Sequence, residues 1–98
     1  MTTRHLELEA KMSKFASSFH SLRKAPGVAL WDADTLDKWA TETPISDGER
    51  VTARFVLAVW DPNHDWRCGK FDLMEALRIW DEDHHRAFIT WVQEPWWP

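Results

Sequence analysis

Eight tryptophans in a chain of 98 residues, with no tyrosine, set the main constraint on what this sequence can become. They stand at Trp31, Trp39, Trp60, Trp66, Trp80, Trp91, Trp96 and Trp97. Tryptophan is the largest apolar side chain and carries one N–H that needs an acceptor once buried. A short chain this rich in it must either pack an aromatic core or turn rings toward a partner. The length suits one domain spanning residues 1–98, because a chain of this size buries roughly two-thirds of the surface its unfolded form exposes. One core is expected, and not two.

Hydrophobic spacing points to helices. From about His5 to Lys24, residues Leu8, Met12, Phe15, Phe19 and Leu22 recur at alternating steps of four and three, an amphipathic seam closed by Ala25-Pro26-Gly27. The seam spans about two heptads, short of the three or four that argue for a coiled coil. Docking onto the body of the same chain is the expectation; a homodimer seam and a membrane-surface helix are the alternatives. Val28 to Trp31 is a short apolar run of ambiguous type, with extended backbone as one reading. Asp34 is placed to cap a helix carrying Leu36, Trp39 and Ala40, stopped before Pro44.

Ser46 followed by Glu49 forms a capping box that opens a segment from Asp47 to Trp60. Val51, Ala53, Phe55, Leu57 and Val59 alternate as a strand would, but the box and the length favour a helix. Its second half is apolar on every side, which places it at the centre of the fold. Asp72 with Glu75 starts a further helix, whose apolar face is Leu73, Ala76, Leu77 and Trp80. Asp81, Glu82 and Asp83 suit the positive end of a last helix carrying Ala87, Phe88, Trp91 and Val92 inward. The tail, residues 94–98, is Glu-Pro-Trp-Trp-Pro; it either folds back over the core or projects Trp96 and Trp97 as anchors. The expected fold is an all-α bundle of four to five short helices with a tryptophan-rich core.

No reaction signature accompanies this pattern. Asp61, Asn63, Asp65 and Asp72 take the first, third, fifth and twelfth places of a loop that resembles a calcium-binding EF-hand loop. Trp66 replaces the glycine at its sixth place, and Asp72 the bidentate glutamate at its twelfth. The sequence therefore favours helix caps and turns there, with a metal-responsive module as the alternative. Asp81 and His85 share a helix face at four-residue spacing but lack further ligands at a recognisable spacing. His64 and Cys68 are a weak form of a cysteine–histidine pair. No cofactor, no metal and no catalysis are expected.

Charge sharpens the functional reading. Residues 1–30 hold five Lys/Arg against two Glu, whereas residues 31–98 hold seven Lys/Arg against fourteen Asp/Glu. An acidic body repels nucleic-acid phosphates, so direct DNA or RNA contact is not expected beyond the first helix. The single Cys68 fits a reducing compartment, and no apolar run approaches the ~20 residues of a membrane span. A small acidic cytoplasmic protein that binds a basic surface on a larger protein is the expectation. Asp61, Asp65, Asp72, Asp81, Glu82, Asp83, Trp96 and Trp97 are its candidate contact residues. In size and charge, though in no motif, the chain is similar to small phage-encoded inhibitors of nucleic-acid-handling complexes, including some anti-CRISPR proteins.

Overall fold

The computed structural model describes the backbone of residues 2–98, with side chains from Leu6 onward. It contains five α-helices and, among the described residues, no strand: α1 (Thr2–Ser17), α2 (Ala33–Glu42), α3 (Asp47–Trp60), α4 (Leu73–Ile79) and α5 (Glu82–Gln93). A single 3-10 turn, His20–Leu22, follows α1. The all-α expectation holds, and Asp47 to Trp60 is helical.

Local chemistry explains most of the boundaries. The Ser46 hydroxyl accepts from the Glu49 N–H, and the Glu49 carboxylate accepts from the Ser46 N–H. Asp72 caps α4 by accepting from Glu75 N–H, and Asp81 caps α5 by accepting from His84 N–H. These side chains satisfy backbone donors that no helical carbonyl can reach. The α2 cap is Asp32, not Asp34: Asp32 is extended and accepts from Thr35 N–H. Asp34 lies inside the first turn, where its charge complements the helix end.

The first helix is shorter than its apolar seam. It stops at Ser17, where the Ser18 hydroxyl donates to the Phe15 carbonyl and the backbone tightens to three-residue hydrogen bonds. Serine side chains compete in this way with the helical ladder. The break lets Phe19 and Leu22 turn inward; together with Met12 they are fully buried. Docking within the chain is thus how the seam is covered, and those three residues offer no exposed surface for a dimer. Val28 to Trp31 is a run of turns and not extended. Gly27 enters it at a φ of +85°, and a Cβ there would stand 2.5 Å from the Asp32 carbonyl oxygen. Only glycine fits that approach.

Helix α3 runs through the middle, with seven of its fourteen residues buried. Phe55 is its hub: Phe15, Phe19, Phe71, Trp80, Phe88 and Trp91 all have ring centroids 5.0–5.9 Å away. Most of these contacts are edge-to-face, the arrangement that ring quadrupoles prefer. Trp80 is buried, and its indole N–H donates to Thr52 Oγ1 at 2.8 Å. Trp39, Trp60 and Trp91 are half-buried and packed on the core.

Two apolar faces depart from expectation. Ala76 and Trp80 point inward from α4, but Leu73 and Leu77 are exposed. On α5, Phe88 and Trp91 pack on the core while Val92 is exposed. Of the seven residues of α4 only Ala76 is buried, with Ile79 partly buried against the core. Among the described residues, no helix is long and apolar enough to cross a membrane.

Candidate functional site

Three features could meet a ligand: a groove between α1 and α5, a histidine–aspartate cluster at one end of it, and an outward apolar face on α4 and α5.

The groove encloses about 980 Å³ and is lined by Lys11, Lys14, Phe15, Arg86, Trp91 and Trp96, among others. The tail closes one side by folding back. Trp96 stands edge-on to Phe15 at 5.4 Å, and its carbonyl accepts from the Trp91 indole N–H at 3.3 Å. Lys11 lies 4.1 Å over the Trp96 ring, a cation–π contact. Trp97 packs edge-on to Trp91 but remains more than half exposed. Of the two tail tryptophans, Trp96 is docked and Trp97 is offered to solvent.

At the groove's end, the 3-10 turn meets the start of α5. Asp81 holds both elements. One oxygen accepts from His84 N–H at 2.9 Å and stands 2.7 Å from His84 Nδ1; the other lies 3.0 Å from His20 Nε2. The backbone N–H of His84, followed by its imidazole and that of His20, holds the Asp81 carboxyl well below the usual carboxylate range. On its far side His84 Nε2 is 2.8 Å from Ser21 Oγ. Serine, histidine and aspartate thus occur in the order of a nucleophilic relay. His84 is buried, whereas His20 and Asp81 are exposed.

The spacing-based partner, His85, does not join this cluster. Its Nε2 lies 2.9 Å from the Leu77 carbonyl oxygen, tying α5 to α4. His20 and Ser21 escaped sequence reading because they lie 61 and 63 residues from their partners and carry no motif. A histidine just beyond a serine-broken helix was the only available signal.

Other candidate residues have local roles. Asp61 accepts from Asn63 N–H in a turn, Asp72 caps α4, and Asp65 is exposed. Asp61, Asp65 and Asp72 form no metal-holding group among the described residues; His20, Asp81 and His84 do. Glu82 and Asp83 pair with Arg86 at 2.9 and 3.5 Å. Cys68 is buried, and burial, followed by the neighbouring Asp37 carboxylate, pushes its thiol up to about 12. It stays protonated at neutral pH and lacks the thiolate that nucleophilic chemistry requires.

Asp37 organises that loop. Buried on α2, it accepts from Arg67 N–H at 3.0 Å and Cys68 N–H at 2.8 Å. Arg54 completes the clamp, donating to the Cys68 carbonyl at 2.6 Å and pairing with Glu75.

The third feature is apolar. Leu73, Met74 and Leu77 share the outer side of α4, and Ile89 and Val92 share a face of α5 one turn beyond His85. The bond from His85 to the Leu77 carbonyl ties the start of α5 to the end of α4. Met74 is 74% exposed. Comparison of the chain with known protein families, with curated proteins and with solved structures finds no match.

Proposed function

We propose that this chain is a non-catalytic protein-binding module that occupies a surface of a larger partner. The observation that carries this reading is the exposure of Leu73, Met74 and Leu77 on α4, with Ile89 and Val92 also exposed on α5. Single exposed apolar side chains are ordinary; three on one helix of seven residues make a patch, and such patches mark interaction surfaces. Trp97 supplies a further exposed aromatic anchor.

Charge describes the partner. Carboxylates flank α4 at both ends, Asp72 before it and Asp81, Glu82 and Asp83 after it, within a body of net charge −7 over residues 31–98. An apolar pocket bordered by Lys and Arg is complementary to this face. Glu82 and Asp83 already pair with Arg86, and Asp72 and Asp81 cap helices, so they form a rim that steers association while the apolar residues hold it. In its sharper form, the partner is a nucleic-acid-handling complex in the cytoplasm, whose basic surface this protein covers and blocks. That form rests on charge and size.

Capture from native lysate by tagged wild type, Met74→Glu, and the double variant Glu82→Lys with Asp83→Lys tests the reading. A stoichiometric partner should be held by wild type at low salt and lost by Met74→Glu with helicity unchanged. The charge-reversed variant should associate more slowly and lose salt dependence. A partner held equally well by Met74→Glu would sink the α4 face, and wild type returning alone would sink the binding reading.

A further inference from the structure

We propose that His20, Asp81 and His84 form a binding site for a divalent transition-metal ion of the zinc class. Donor atoms of all three residues lie within 4.8 Å of one another. Imidazole and carboxylate together suit zinc and its neighbours, not calcium or magnesium, which take oxygen ligands.

The dimensions fit. Asp81 Oδ2 is 3.0 Å from His20 Nε2, and Asp81 Oδ1 is 2.7 Å from His84 Nδ1. Around a tetrahedral ion with bonds of about 2.0–2.2 Å, neighbouring ligand atoms stand roughly 3.4 Å apart. The two contacts to Asp81 need to lengthen by only a few tenths of an ångström, and the two imidazole nitrogens lie within 4.8 Å of each other. The movement falls on His20 and Asp81, whose side chains are 43% and 56% exposed. His84, 6% exposed, is the fixed wall.

Ser21 is the second argument. Metal-binding histidines use their other ring nitrogen to donate to a fixed acceptor, which sets the tautomer and the ring's orientation. Ser21 Oγ, 2.8 Å from His84 Nε2, is placed to accept from that nitrogen once Nδ1 is turned over to an ion. Without an ion, Nδ1–H faces the Asp81 carboxylate and the serine hydroxyl donates to Nε2. Metal-bound imidazole must be deprotonated at the ligating nitrogen, so affinity falls as pH drops. Three protein ligands leave one tetrahedral position to water or to a donor from elsewhere. Placement at the positive end of α5 opposes a cation, and the Asp81 carboxylate offsets this.

The site also links the two ends of the fold, since its ligands come from the 3-10 turn after α1 and from the start of α5. A bound ion should stiffen that seam.

The test is calorimetric titration of the chelator-treated 98-residue chain with zinc chloride, alongside His20→Ala and Asp81→Asn. Both changes fall on exposed side chains, and Asn keeps the helix cap. One ion per chain should bind wild type and raise its melting temperature. His20→Ala should weaken binding about tenfold or more and abolish the melting shift while its metal-free melt stays near wild type. Cobalt should give the intense visible absorption of a tetrahedral site in wild type and not in Asp81→Asn. Wild type that takes up no zinc overturns the proposal, and so does uptake unchanged in both variants.

Discussion

Helix α3 and the pair α4–α5 both carry dense apolar sequence, and the chain treats them differently. In α3 seven of the fourteen residues are buried, and Phe55 touches rings from α1, α5 and the loop before α4. In α5, only His84 of twelve residues is buried, and the apolar positions divide between an inner stripe of Phe88 and Trp91 and an outer one of Ile89 and Val92. Similar composition thus serves two ends. Buried apolar surface holds the fold together, whereas apolar surface on the outer side of α4 and α5 is left open to solvent.

Substitutions can break or sharpen that contrast. Phe55→Ala should have the largest effect, about 3–5 kcal/mol of lost stability by urea unfolding, because a cavity opens at the aromatic hub. A loss under about 1 kcal/mol would mean that the surrounding rings collapse and that α3 is not the organising element. Asp37→Ala comes next, at about 1–3 kcal/mol, because it leaves the buried N–H groups of Arg67 and Cys68 without an acceptor.

Asp81→Ala should cost about 1 kcal/mol through the lost helix cap, with a defined pH signature. The folded carboxyl is held below its unfolded value, so its contribution is complete above that value and disappears as pH falls through the folded one. Melting curves of wild type and variant should differ fully at pH 7 and converge as the pH drops below about 4. A gap that persists in acid would show that the cap does not depend on the ionised form. The smallest effect belongs to the outer face. Met74→Glu should shift stability by no more than about 0.5 kcal/mol, and a larger drop would mean that this face belongs to the core.

Much of the backbone plan was legible because it rests on short-range chemistry. Ser46 and Glu49, Asp72 and Glu75, and Asp81 with the residues after it are local signals, and each does what its spacing implies. Periodicity located the buried centre at α3. It failed where a side chain's fate depends on distant packing: Leu73 and Leu77 share the helical period with Ala76 and Trp80 but stay exposed. The choice of Asp34 over Asp32 failed by one half-turn, which spacing cannot resolve when two carboxylates bracket a helix start. The site was the least legible part. Asp81 stood out as an acidic residue at a helix start, but nothing local announced that His20 would come to it.

The bonds from His20 to Asp81 and from Ser21 to His84 span 61 and 63 residues. Loops of that size close at a greater entropic cost than the short connections joining α2, α3 and α4. Folding should therefore assemble the central helices first and bring α1 in late, against an α5 already in place. Until then Met12, Phe19 and Leu22 stay open to water, and any second copy nearby presents the same receptive surface. At high concentration during refolding, the first error expected is exchange of α1 between two chains: a kinetic hazard set by where the fold places its longest closure.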